Sequence, residues 1–175
     1  GLRPVPNPSQ LFLAERPTNA PGSSVLCTIE GSRPILVEVQ ALVSASTFGN
    51  PRRTASGLDQ NRLSLLLAVL DKRAGLNLAT DDVFVNVAGG MTIDEPAADL
   101  AIIAAVASSL RNRAIAADAV VFGEIGLAGE VRTTTQAALR VREAAQLGFR
   151  RCVMPDNSLA PGDTPSGLTI VGVRT

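Results

Sequence analysis

The sequence predicts an α/β fold, and three observations predict it. GSSVLCTIEG and RPILVEVQALVS alternate apolar and polar residues on either side of Gly31-Ser32, the pattern of an antiparallel β-hairpin. After Asp82, short apolar runs alternate with segments of helical period, which is how strand-helix units read. With 175 residues, 46% of them hydrophobic, there is material for one core and too little for two ordinary domains. The expected architecture is an N-terminal hairpin followed by strand-helix units on a mixed sheet packed by helices.

Each element follows from its residues. Positions 1–21 are rich in proline and read as a connecting segment with one short helix around Leu11-Phe12-Leu13, capped by Ser9 or Asn7; the domain itself is expected over 22–175. STFGNPRRTASGLD has the composition of a loop ending at a helix cap, Ser56 or Asp59. NRLSLLLAVLDKRAGL spaces Leu63, Leu66, Leu67 and Leu70 for a helix that stops at Gly75. DVFVNVAGG reads as a buried strand, EPAADLAIIAAVASSLRNR as a helix apolar on most faces, and AVVFGEIG as a second buried strand. Gly126 to Val131 form a tight turn with a short return strand, TQAALRVREAAQLGF an amphipathic helix, and RRCVMP and LTIVGV the last strands, around the loop SLAPGDTPSG.

Composition removes whole classes of chemistry. There is no histidine, so neither a Ser-His-Asp triad, a Cys-His pair nor a histidine metal site can be built from this chain. Cys27 and Cys152 stand far apart in apolar segments, which suits reduced, buried thiols and a cytoplasmic setting. No apolar run reaches membrane-spanning length, so no membrane partner is expected. Lysines and arginines equal aspartates and glutamates at sixteen each, so any nucleic-acid contact must come from a local patch. Lys72 is the single lysine, leaving one amine for chemistry.

TIDEPAADLAIIAAV, Thr92 to Val106, is the segment that decides between enzyme and non-enzyme. Asp94, Glu95 and Pro96 make a sound helix start, since acids complement the positive helix end and proline suits the first turn. Gly89-Gly90 allow close backbone approach and Ala97 and Ala98 keep the helix mouth open, so free amides there would stabilise an oxyanion if a nucleophile were present. DEPAAD and the later GEIGLAGEV resemble the two motifs of Lon-type proteolytic domains, D-G-P-S-A-G and G-E-x-x-L-x-G-x-V. The resemblance implies a Lon-protease-like fold, in which the first motif carries a nucleophilic serine and a lysine beyond the second serves as its base. Those places fall on Ala97 and Ala138. A methyl group at both leaves no hydroxyl to attack and no amine to take its proton, so the site is degenerate and catalytic residues are expected to be none. Ser108 and Ser109 lie too far into the helix to substitute, and Lys72 sits near a helix end in DKR, where it reads as solvated.

Longer stretches narrow the resemblance. NPSQLFLAER, EGSRPILVEVQALV, FGNPRRTASGLDQNRLSLLLAVLDKRAGL, VNVAGG and DEPAADLAIIAAVASS are similar to the Lon-like C-terminal domain of a family of bacterial recombination and repair proteins, over nearly the whole chain. What the resemblance implies is a parent with a zinc finger and an ATP- and Mg-dependent RecA-like core, acting as a motor on branched DNA; this chain has neither a G-x-x-x-x-G-K-[ST] run nor a CxxC pair. It further implies single-stranded or branched DNA as partner, a homo-oligomer in the form of a hexameric ring, and a recombinase and a replication helicase as further partners. Within this chain no metal and no cofactor are expected.

Candidate DNA contacts are arginines, because a guanidinium offers a fork of donors to phosphate. Arg52 and Arg53 lie in the Gly-Asn-Pro loop, Arg132 follows the GEIGLAGE turn, and Arg140 and Arg142 share a helix. Arg73, Arg111 and Arg113 are expected as candidate interface residues of a ring. Aromatic residues are 3%, without Trp or Tyr, so backbone contact without base stacking is expected. Two other readings stand beside this one: a Lon-type peptidase working through other residues, and an oligomerisation module that never touches nucleic acid.

Overall fold

A computed structural model of the chain describes residues 8–14, 16–47 and 49–175. The hairpin is formed as expected: β1 (Ser23–Glu30) pairs antiparallel with β2 (Arg33–Ala45), from Glu30↔Arg33 at the turn to Ser23↔Gln40. Seven strands make one mixed sheet in the order β3-β4-β2-β1-β5-β8-β9, where β3 is Arg53–Ser56, β4 Asp81–Val87, β5 Ala119–Val121, β8 Arg151–Pro155 and β9 Thr169–Val173. A separate two-stranded ribbon, β6 (Glu124–Ile125) with β7 (Val131–Arg132), is the expected turn and return strand. Every strand of the large sheet except β2 runs in the same direction. The domain therefore has an amino end, where β3, β4, β5, β8 and β9 begin, and a carboxyl end, where they finish.

Burial explains the layers. Consecutive residues Val25, Leu26 and Cys27 of β1 and Leu36 and Val37 of β2 are all buried, and since neighbours on a strand point to opposite faces, both faces are covered. One cover is α2 (Gln60–Ala74) packed on α3 (Asp99–Arg111), with α3 lying across β1 and β2. The other is α1 (Pro8–Leu13) with α4 (Ala137–Gln146), where the Ser9 hydroxyl meets Glu143. The Ser108 and Ser109 hydroxyls, near the end of α3, accept from the amides of Gly22 and Val43, both at 2.9 Å, and fix its last turns at the amino end. No helix among the described residues is long and apolar enough to cross a membrane.

Caps are where residue chemistry shows most directly. Asp59 is the cap of α2, accepting from the Arg62 amide, and Gly75 ends that helix in the left-handed region at φ 68°. Ser9 is not a cap: it lies within α1 and accepts from the Leu36 amide at 2.7 Å, tying the connecting segment to β2, while Asn7 lies outside the described residues. The loop expected through Arg53–Ser56 is a strand, β3, parallel to β4. It is short and half exposed, so no apolar run marks it. Its outer edge is closed by one side chain: the Ala55 amide donates to Gln60 Oε1 and Gln60 Nε2 donates to the Arg53 carbonyl. The helix expected from Pro96 begins with a 3-10 turn, Pro96–Ala98, and becomes α-helical at Asp99.

Candidate functional site

Two ion pairs occupy the helix mouth at the carboxyl end. Arg140, 0% exposed, reaches from α4 to Glu95 with Nη1–Oε1 at 2.6 Å and Nη2–Oε2 at 3.0 Å. Its remaining donors go to the carbonyls of Cys27 (2.9 Å) and Thr135 (3.0 Å), and its guanidinium lies 5.6 Å from the centre of the Phe122 ring. Glu95 also accepts from the Thr28 hydroxyl at 2.9 Å and the Ile29 amide at 3.0 Å. Burial acts to raise the Glu95 carboxyl, but the Arg140 hydrogen bonds and charge, with the Ile29 and Thr28 donors, outweigh it and hold the carboxyl below the ordinary glutamate range.

The second pair is Arg62 with Asp99. Asp99, 1% exposed, takes Arg62 on both oxygens and accepts from the Ile125 amide at 3.0 Å, so the first turn of α3 is linked to α2 and to the β6–β7 ribbon. The Asp99 hydrogen bond and charge raise the Arg62 guanidinium above its usual value against a smaller opposing effect of burial. A cleft of about 170 Å³ opens beside the pairs, lined by Asp59, Arg62, Asp94 and Pro96 among others.

The helix mouth does not offer the free amides expected of it. The amides of Ala98, Asp99 and Leu100 donate to the carbonyls of Glu95, Pro96 and Gly123, and the Gly123 amide donates to the Ala97 carbonyl. Glu95, expected to complement the helix end, is spent on Arg140 and the β1 backbone. The acid in the first turn of α3 is Asp99. Ala97 is 2% exposed and Ala138 half-buried. Glu95 stands two residues before Ala97 and Arg140 two residues after Ala138, so their contact joins the two segments that carry these alanines.

The candidate arginines separate. Arg140 is corrected as a DNA contact: it is fully buried and all three of its guanidinium nitrogens donate inside the fold. Arg53 turns inward as well, donating to the carbonyls of Asp81 and Leu78, the latter at 2.7 Å. Arg52, Arg132 and Arg142 are exposed. Arg52 precedes β3 at the amino end, whereas Arg132 on β7 follows β5 at the carboxyl end, so the two belong to different surfaces. Lys72 is exposed in the last turn of α2. Sequence reasoning missed Arg62, Glu95 and Asp99 as interacting groups. The available signal was Asp99 itself, an acid heading an apolar helix, which cannot be buried without a partner.

Both thiols are free and buried. Burial pushes Cys27 up and Cys152 up to about 12, which leaves neither as a nucleophile at neutral pH.

The chain is 52% identical over its whole length to the DNA repair protein RadA of Halalkalibacterium halodurans and covers 38% of that protein. It is 50% identical to the DNA repair protein RadA of Bacillus subtilis and 52% identical to that of Escherichia coli, each over 99% of the chain and 38% of the relative. It thus spans well under half the length of these relatives. The family model described as subunit ChlI of Mg-chelatase matches residues 48–158, more than half of the chain. The chain belongs to this ChlI family.

Proposed function

We propose that this chain is a non-catalytic, DNA-contacting and ring-forming domain, with a Lon-protease-like fold, in a longer protein of DNA repair and recombination. The observation that carries the reading is the half-identity, over its whole length, to proteins named DNA repair protein RadA. The chain corresponds to 38% of those relatives. ATP, Mg and Zn belong to the remainder of the longer protein, an ATP-driven motor on single-stranded or branched DNA; no nucleotide-binding G-x-x-x-x-G-K-[ST] run occurs in this chain. The expected assembly is a hexamer in the cytoplasm, with a recombinase and a replication helicase as further partners.

The non-catalytic half of the reading is supported by chemistry. Ala97 and Ala138 offer neither nucleophile nor base, and Glu95 and Asp99 beside them are already paired with Arg140 and Arg62. The DNA-contacting half rests on exposed arginines of the chain, Arg52 among them, and the ring supplies the multiplicity that one neutral copy lacks. The test is paired. Purified chain and longer protein are incubated with unfolded casein and fluorogenic peptides, with and without ATP, and titrated with DNA as salt rises. No cleavage together with salt-sensitive DNA binding is expected. Reproducible cleavage overturns the non-catalytic reading, and absence of DNA binding by the assembled longer protein leaves the oligomerisation module in its place.

A further inference from the structure

The charges of this chain cancel in number but not in place. At the amino end of the sheet, Arg52 precedes β3, Arg111 and Arg113 surround the end of α3, and Arg150 and Arg151 open β8. All five are exposed, and of them only Arg151 has an ion-pair partner among the described residues, Asp118 at 3.6 Å. The other acids there are Asp71, which lines a cleft with Arg53 and Ala79, and Asp81 and Asp82 at the start of β4, where Asp82 is engaged by the Arg52 amide at 2.7 Å. At the carboxyl end the balance reverses: Glu124 stands opposite Arg132 in the β6–β7 ribbon, Asp59 and Asp94 line the cleft without an ion-pair partner among the described residues, and Asp156 is already paired with Arg174 at 2.7 Å. A polyanion approaching the carboxyl end meets net repulsion, and one approaching the amino end meets unpaired guanidiniums.

We infer that the amino end of the sheet is a docking surface for the phosphate backbone of duplex DNA, formed by Arg52, Arg111, Arg113 and Arg150. This rests on the DNA-contacting reading above and names its surface, excluding Arg132 and Arg142. The geometry suits a backbone. β3 and β8 are separated by four strands, so Arg52 and Arg150 stand about 24 Å apart at the usual strand spacing. Over that length a duplex presents on the order of 14 charges. The surface has no described aromatic ring to stack a base: Phe149 is buried beneath Arg16, whose guanidinium lies 5.4 Å from its centre. A single strand is held by stacked bases as well as phosphates, whereas sequence-independent duplex binding needs only phosphate contacts, so duplex is the favoured form.

The test compares three forms of this 175-residue chain, and of the longer protein that carries it, for binding to a labelled duplex and to the matching single strand across a salt series. One form is unaltered, one carries Arg111→Gln, Arg113→Gln and Arg150→Gln, and one carries Arg132→Gln and Arg142→Gln. All five side chains are exposed and have no ion-pair partner among the described residues, so folding is unaffected, which thermal melts check. The triple variant is expected to lose at least about tenfold in duplex affinity at low salt. Its salt slope falls by about 0.9 for each phosphate contact removed, close to 3 in all. The double variant behaves as the unaltered chain. Loss in the double variant, with the triple variant intact, overturns the surface while leaving the DNA-contacting reading standing, and so does equal loss in both. Tighter binding of the single strand than of the duplex overturns the choice of duplex. Absence of DNA binding by every form, the longer protein included, overturns this inference and the reading beneath it together.

Discussion

Arg140→Met should be among the most destabilising single substitutions in the domain. Methionine retains much of the arginine stem's volume and removes the charge and every donor. Four hydrogen bonds are lost: two to Glu95 and one each to the carbonyls of Cys27 and Thr135. Removing one partner of a buried ion pair costs about 3–5 kcal/mol, because the other charge is left desolvated. Glu95 is 21% exposed and keeps the Ile29 and Thr28 donors, which places its share at the lower end, about 3 kcal/mol. The two stranded carbonyls add on the order of 1 kcal/mol each. The expected loss is therefore about 5 kcal/mol, read by urea unfolding as a lower midpoint at unchanged slope. Glu95→Gln alone should cost less, and a double-mutant cycle should return a coupling above about 1.5 kcal/mol. The same carboxyl sets a pH signature. Its folded pKa lies below the unfolded value of about 4.3, so its contribution is complete above that value and is lost as pH falls through the folded pKa. The stability gap between wild type and Glu95→Gln should thus shrink below about pH 4. A loss under about 1 kcal/mol for Arg140→Met, or a gap that widens in acid, would refute the assignment of this pair as the bond between the α3 entrance and α4.

Three further outcomes follow from the same geometry. Asp99→Ala frees the Ile125 amide and leaves Arg62 without its carboxylate, and should cost about 3 kcal/mol in urea unfolding; because Arg62→Ala leaves the 1% exposed Asp99 as the unpaired charge, it should cost at least as much. Gly75→Ala places a side chain at φ 68° and should lower stability by about 1 kcal/mol, with calorimetry as the check. Cys27 and Cys152 should be silent to a thiol reagent in the folded protein and both react once urea unfolds it; rapid labelling under native conditions would contradict their burial.

The fold was legible in the sequence wherever one residue pattern served one element. Alternation around Gly31-Ser32 located the β1–β2 hairpin, and leucine spacing with Gly75 located α2 and its end. β3 was not legible, because four half-exposed residues carry no hydrophobic period and their ladder depends on partners in β4 thirty residues away. The site divides in the same way. The absence of a hydroxyl at position 97 and of an amine at 138 can be read directly, since chemistry needs particular atoms. That Glu95 holds Arg140 and that Asp99 holds Arg62 could not be, because each pair joins segments more than thirty residues apart. A helical arginine in a one-dimensional sequence looks the same whether it faces water or the core, which is how Arg140 came to stand beside Arg142 as a candidate for DNA.

The central claim, that this chain serves by holding DNA and not by cutting peptide bonds, is tested most directly by one affinity. Duplex-DNA binding is measured at one fixed salt concentration for the longer protein, intact and with residues 22–175 removed, both forms carried through the same sizing step so that assembly is known. The account predicts a loss of at least about tenfold in affinity on removal, as expected when several phosphate contacts per ring disappear. Unchanged affinity in a truncated protein that still assembles would contradict it.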